Sequence, residues 1–373
     1  MQASLVPGAI ARQPWLVILA LSALVLFGST VLYSAAGGSL QPWAAMHAIR
    51  FVVFLAMAAL IARLPQRFFR LAAFPAFVAV AVLLVLVEAL GAISGGSQRW
   101  LDLGVIRLQP SELMKPGIVL ALARFYDLLP AGESQGWRAL LPPLALMGLP
   151  VGLVMLQPDL GTALAISFGA VVVMFLSGLP LRWFVGGLAA AAIAAPVAFF
   201  TLLHDYQRKR VTTFLDPESD PLGSGYHITQ SKIAIGSGGV FGKGFGEGSQ
   251  SHLDYLPEPH TDFVFATMFE EWGMLGGVFV LVVFATVLRW GIRVAQNAPD
   301  RFSRLLAAGM ATTIFFYVAI NLMMVMGLAP VVGIPLPFMS HGGSSMMTNM
   351  ICIGAIMAVE RWTRDRRGAG GLL

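Results

Sequence analysis

Where the longest polar stretch of this chain turns apolar, it reads Leu256-Pro257-Glu258-Pro259-His260-Thr261-Asp262-Phe263 and then Val264-Phe265-Ala266. Asp262 stands where a water-facing loop meets a membrane span. Holding a carboxylate there costs free energy, so such an acid usually serves function. On a lipid-linked substrate its chemistry would be proton abstraction, which makes Asp262 the first candidate for a general base. His260, two residues earlier, can hydrogen-bond nearby or cap the following helix. Glu270 and Glu271 follow two turns further along the same span, placed to support packing or to tune the site.

A second constellation lies earlier: Gln98-Arg99-Trp100-Leu101, then Gln109-Pro110-Ser111-Glu112-Leu113-Met114-Lys115. Pro110 suits the first turn of a helix. Glu112 and Lys115, three apart, share one face of it. A plain ion pair beside an interfacial Trp100 would explain these residues alone. The addition of Arg50 and Arg99 at the same depth points instead to a polar cavity. Gln157-Pro158-Asp159-Leu160-Gly161 reads as a tight turn carrying an acid, and a structural role is favoured for Asp159. Arg208-Lys209-Arg210 is either a solvated or headgroup-facing run or a set of forks for phosphate oxygens. Between Gly223 and Gly248, glycines interleave with Gln230, Lys232 and Lys243 in a stretch too mixed for a plain flexible linker. Ser340, at the start of the last span, completes the candidate substrate-binding set.

Several chemistries are excluded. There is no Gly-x-Ser-x-Gly elbow, no His-Glu-x-x-His helix and no P-loop. Ser111 and Lys115 are four apart, not the three of a penicillin-binding transpeptidase. No Asp-x-Asp pair is available for a nucleotide-sugar metal complex. The single cysteine, Cys352, rules out an internal disulfide. One acid among basic groups suits a base facing an anionic leaving group better than a hydrolytic carboxylate pair.

These residues need a scaffold, and the composition specifies it. The 373 residues are 57% hydrophobic and only 12% charged, where a soluble domain is nearer a quarter charged. The pattern predicts an all-α polytopic membrane protein, a single transmembrane domain over residues 1–373. About ten spans are expected: 15–35, 44–63, 70–91, 112–129, 139–157, 161–179, 182–203, 263–289, 305–328 and 340–361. The first is read as uncleaved, because its apolar run is long for a signal peptide. A long loop, about 204–262, is inserted between the seventh and eighth spans. Within it, Tyr226 to Ile235 is expected to form a short amphipathic helix with Ile228, Ile233 and Ile235 on the apolar side. Arg12, Arg63, Arg67, Arg70, Arg124, Arg138, Arg182, Arg289, Arg293, Arg301, Arg304, Arg361, Arg364, Arg366 and Arg367 fall in one set of loops and tails. By the positive-inside rule that side and both termini are cytoplasmic. Arg50, Arg99, Arg107, Lys115, Arg208, Lys209, Arg210, Lys232 and Lys243 fall on the other side, against the bias, which suggests an anionic ligand there. The net charge of +5 does not point to nucleic acid.

Read together, the motifs are similar to those of the SEDS family (shape, elongation, division and sporulation). They are Gln98-Arg99-Trp100-Leu101, Gln109-Pro110-Ser111-Glu112-x-x-Lys115, Phe214-Leu215-Asp216-Pro217, Gln230 to Gly239, Ser249 to Glu258 and His260-Thr261-Asp262-Phe263. The resemblance runs in order over nearly the whole chain, and its wording is nearest the elongation-type members. Pro259 departs from the pattern, where a polar or basic residue is expected. The resemblance implies ten transmembrane helices and a peptidoglycan glycosyltransferase that polymerises lipid II at the periplasmic face of the inner membrane, with Asp262 as its essential acid. It implies a class B penicillin-binding protein as the transpeptidase partner, alongside membrane proteins of the elongation machinery. A divalent cation, Mg or Mn, is admitted but not required. A lipid II flippase and a non-catalytic scaffold are the rival readings; the polar groups crowd one side instead of lining a path through the bilayer, which disfavours the flippase.

Overall fold

The computed structural model describes residues 13–90, 92–94, 97–102, 107–130, 132–133, 136–201, 208, 211–214, 216, 223–253, 255–256 and 258–370. Lys209 and Arg210 lie outside the described residues. In chain order the helices are α1 (Trp15–Ala35), α2 (Ala44–Ile61), α3 (Gln66–Leu90), α4 (Pro110–Leu128), α5 (Trp137–Leu156), α6 (Leu160–Leu176), α7 (Leu181–Thr201), α8 (Ser224–Gly238), α9 (Ser249–His252), α10 (Val264–Asn297), α11 (Arg301–Val325) and α12 (Gly343–Gly370). Each expected span has its helix, and the protein is an all-α polytopic membrane protein. Seven of these helices are long and apolar enough to cross a membrane: α1, α2, α3, α5, α7, α10 and α11. The apolar α6 is shorter. Helix α4 is excluded by its charges, Glu112, Lys115, Arg124 and Asp127, and α12 ends in the charged run Glu360–Arg367.

Two helix ends differ from expectation. Helix α10 runs on to Asn297 and α12 to Gly370, past the apolar windows that set the sequence limits. Arg and Glu are good helix formers, so a helix leaving the bilayer has no reason to stop where its apolar run does. Among the described residues a small antiparallel sheet is the one addition to the helical class: β1 (Ala92–Ser94), β2 (Ser97–Asp102) and β3 (Arg107–Leu108). Its register pairs Ala92 with Trp100 and Leu101 with Leu108.

Helices α4 and α11 form the centre. Met114, Ile118, Val119 and Leu122 of α4 are fully buried, as are Leu306, Ile314 and Tyr317 of α11. A Cβ at Gly309 would come within 2.5 Å of Val119, so a small residue sets how closely these helices approach. Helix α7 is peripheral, with none of its apolar window buried. Helix α10 is kinked at Gly273, whose φ of +59° lies in the left-handed region. There the backbone passes so close to Gly242 (φ +80°) that a Cβ on either residue would overlap the other strand of chain.

Helix α8 corrects the expected amphipathic face. Ile228, Ser231 and Ala234 are buried, whereas Ile233 is 45% exposed. These three buried residues are three apart and share a face. Two of them are small, so α8 lies close against α10 and the end of α11.

Candidate functional site

Asp262 sits just before α10, half-buried, at one end of the bundle. Its backbone is held with unusual completeness for a loop. Four consecutive carbonyls each accept a hydrogen bond from a different donor. Thr267 Oγ1 donates to Pro259 (3.2 Å), His341 N to His260 (2.8 Å), Ser340 Oγ to Thr261 (2.6 Å) and Asn321 Nδ2 to Asp262 (2.9 Å). Asn321 also donates to the Ile334 carbonyl (2.7 Å), and Ser340 Oγ accepts from Leu336 N (2.8 Å). The connection from α11 to α12 is therefore stitched to the segment carrying Asp262. Gly333 lies beside the carboxylate: a Cβ there would come to 3.5 Å from Asp262 Oδ2, and its φ of +73° suits glycine.

Three rings and a guanidinium lie along the segment that carries the acid. His260 stacks on Trp43, with ring centroids 3.9 Å apart. His341 Nε2 lies 3.2 Å from Arg50 Nη1, and the guanidinium rests against Gly343 at the start of α12. Burial pushes both imidazoles below their usual pKa. For His341, the Arg50 charge and His260 add to the effect and bring it to about 4. At neutral pH both rings are therefore uncharged, and His341 leaves the Arg50 charge uncompensated. Helix α8 closes one side, with His227 6.2 Å from the Phe263 ring. Ser231 ties that helix to the end of α11 through the Val325 carbonyl (2.8 Å). Lys232 passes over Gly327, and Gln230 beside it is partly buried.

The other predicted residues fall into separate networks instead of one pool. Lys115 and Glu112 are sealed inside the bundle, 1% and 6% exposed. Lys115 Nζ donates to Glu112 Oε1 and to Tyr317 Oη, both at 2.6 Å, and Tyr317 in turn donates to Glu112 Oε2. Ser111 is buried with them, its hydroxyl without a partner among the described residues. Arg99 donates to the carbonyls of Gln157 and Pro158 and lies 3.8 Å from Asp159. Asp159 caps α6 through Thr162 N and accepts from Gln109 Nε2. These contacts fix the β2 strand, which also carries Trp100, to the α5–α6 turn. Lys243 is paired with the fully buried Glu270 at 2.6 Å, and Glu270 also accepts from Ser249 and Gln250 N. Glu271 accepts from Ser34. Glu270 thus binds the glycine-rich loop to α10, and Glu271 binds α1 to the same helix. Arg208 donates to the Phe200 carbonyl, near the end of α7.

Five residues at or beneath the rim are not singled out by the sequence: Trp43, Asn321, Gly333, His341 and Tyr317. Asn321 carries a usable signal, a polar side chain within an apolar helix. Among the described residues no three His, Cys, Asp or Glu side chains converge. The described residues thus build no cage for a divalent cation, and no step of the reaction is assigned to one.

The family model for the FtsW/RodA/SpoVE cell cycle proteins matches residues 12–365. The peptidoglycan glycosyltransferase MrdB of Escherichia coli K12 is 43% identical over 350 residues, 92% of each chain. A chain from the solved structure of a peptidoglycan synthase complex that coordinates polymerization and crosslinking superposes with a TM-score of 0.82. It is 34% identical, over 94% of this chain and 98% of that one. The rod shape determining protein RodA of Thermus thermophilus superposes with a TM-score of 0.71 at 30% identity, over 94% and 97% of the two chains. The chain belongs to the SEDS family, that of FtsW, RodA and SpoVE.

Proposed function

We propose that Asp262 is the general base of a peptidoglycan glycosyltransferase that joins lipid II units into β-1,4-linked glycan. The chain is a glycosyltransferase of the RodA/MrdB type, and its residues divide the work between proton abstraction and stabilisation of the leaving group. The observation that carries the reading is the fourfold clamp on the carbonyls from Pro259 to Asp262. Such a clamp fixes the backbone that carries one carboxylate and leaves the residue half-buried at the rim, which suits a positioned base.

The acceptor is the 4-hydroxyl of a GlcNAc and the donor the anomeric carbon of a MurNAc on undecaprenyl pyrophosphate. Asp262 takes the hydroxyl proton as the new C–O bond forms. The bond from the anomeric carbon to the pyrophosphate breaks on the opposite face, inverting that centre. A sugar hydroxyl is a weak acid, so the base acts in the transition state. The leaving pyrophosphate carries its electron pair away and needs positive charge nearby. Lys115 and Lys243 are already neutralised by Glu112 and Glu270, and Arg99 is held against Asp159. Arg50 and Lys232 have no ion pair among the described residues, so stabilisation of the leaving group is assigned to them first. Holding both lipids in one bilayer supplies much of their orientation.

The charge bias among the loops supports a cytoplasmic-membrane placement with both termini inside and the Asp262 rim facing the periplasm. A class B penicillin-binding protein is the natural partner, since the product strands need crosslinking and this chain has no transpeptidase motif. The likeness to a chain of a synthase complex supports the same pairing. The test is polymerisation of purified lipid II by wild type and Asp262→Asn. The variant should keep its thermal stability and lose about 10²–10⁴-fold in rate; polymerisation at the wild-type rate ends the assignment.

A further inference from the structure

At the end of the bundle opposite Asp262, a cavity of about 270 Å³ opens between the last turns of α10 and α12. Trp290, Arg293 and Asn297 line it from α10, and Glu360, Arg364 and Arg367 from α12. Three guanidinium groups face one carboxylate, leaving an excess of positive charge. Glu360 is turned to the Trp290 indole, whose Nε1 donates to it at 3.2 Å. Asn297 Oδ1 accepts from Arg367 at 3.1 Å and so orients that fork. Arg293 and Arg364 have no ion pair among the described residues. Some arginines at this end are matched, Arg70 with Asp127 and Asp300, Arg124 with Asp127 and Arg366 with Asp300, whereas Arg63, Arg67 and Arg182 have no ion pair among the described residues but do not line this cavity. The three arginines are solvent-exposed, so what distinguishes them from the rest of the basic face is that they line one cavity together.

Depth identifies the ligand chemistry. Beyond the kink, residues 274–297 of α10 extend about 36 Å at the helical rise, more than the roughly 30 Å hydrocarbon core. The last turns therefore stand at headgroup level, where the buried Trp290 holds α10 to Glu360 of α12. The volume is below the roughly 300–1,000 Å³ of drug-sized sites. It suits a phosphate headgroup whose acyl chains remain outside. Arginine forks match phosphate oxygens in geometry as well as charge.

We infer that this cavity is a binding site for the phosphate headgroup of an anionic phospholipid, held by Arg293, Arg364 and Arg367. The site is independent of the Asp262 chemistry and lies at the far end of the two helices that frame the rim, α10 and α12.

The test is native mass spectrometry of the full chain released from micelles containing dioleoyl-phosphatidylglycerol or dioleoyl-phosphatidylcholine. Wild type should retain the phosphatidylglycerol selectively. Single Arg→Gln changes at 293, 364 or 367 should each weaken retention about fivefold, and the triple change should abolish selectivity. Lipid II polymerisation in phosphatidylcholine by the triple variant should stay at the wild-type level, which certifies its fold. A control triple, Arg63→Gln, Arg67→Gln and Arg182→Gln, removes equal charge from the same end. If it lowers retention as much, diffuse surface charge is responsible and the site is overturned. Displacement of the lipid by equimolar inorganic phosphate would overturn the lipid assignment in favour of a soluble anion.

Discussion

Two charged clusters meet α11 one turn apart and are treated in opposite ways. At Tyr317, Lys115 and Glu112 are sealed in the bundle, each satisfied by the other and by the phenol. At Asn321, four residues on, the chain grips the backbone of Asp262 and leaves its carboxylate half-buried at the rim. In the first cluster the charges are the fastening. In the second the backbone is fastened by amides and hydroxyls, and none of these four bonds uses the carboxylate. A buried pair whose removal leaves one ion stranded is a structural element. A backbone held by neutral groups keeps its place when the side chain it carries changes protonation state.

Paired substitutions test that contrast, beginning with the largest effect. Asp262→Asn should lower the polymerisation rate about 10²–10⁴-fold while the unfolding midpoint stays in place. Lys115→Met should do the reverse, costing about 3–5 kcal/mol of stability by leaving Glu112 unpaired, with activity falling only as the folded fraction falls. The double change Lys115→Met with Glu112→Leu should recover much of that loss, because no ion is then stranded; thermal melts of all three report it. A smaller effect on both axes is expected of Asn321→Ala. It frees the carbonyls of Asp262 and Ile334 and should cost about 1–3 kcal/mol. Displacing the base should lower kcat by up to about 10²-fold, with KM little changed. Should kcat stay at the wild-type value in the folded fraction, the clamp is not what positions the acid.

The sequence announces the ten-helix architecture because apolar runs of bilayer length have few other meanings. It announces Asp262 because a carboxylate at a span boundary is expensive. What it does not convey is which charges share a space. Arg50, Arg99, Glu112 and Lys115 have similar depth along the membrane normal, but depth is one coordinate of three. Helix packing sends Glu112 and Lys115 inward to Tyr317, Arg99 to the Gln157–Asp159 turn and Arg50 to His341. The inward face of α8 departs from expectation for a related reason. Hydrophobicity alone nominates Ile233, yet close packing selects Ser231 and Ala234 for their size. The clamp residues Asn321, Ser340 and His341 act through backbone carbonyls, and a carbonyl leaves no mark in a sequence.

The smallest expected effect concerns how dry the rim is. His341 is held near a pKa of 4 by burial first, then by the charge of Arg50 and by His260, against a weaker pull upward from the Trp43 carbonyl. The unfolded chain would protonate this ring near 6.5. Between those values the unfolded state binds a proton that the folded state refuses, so stability present above about pH 6.5 drains away toward pH 4. His260 shifts in the same direction, lowered by burial and partly restored by Glu258, so it contributes to the same slope. Asp300 does not interfere. Burial raises it, but hydrogen bonds from Gln66 and Ser303 and the charges of Arg70 and Arg366 outweigh this and hold it below its usual value. Its stabilising contribution is therefore lost only below this window. Thermal melts from pH 7.5 to 4.5 should show a steeper decline for wild type than for His341→Gln. Equal slopes for wild type and His341→Gln would mean that the ring titrates as it does in water. The rim would then be open to bulk solvent, and its difference from the sealed Glu112–Lys115 pair would lie in partners alone and not in burial.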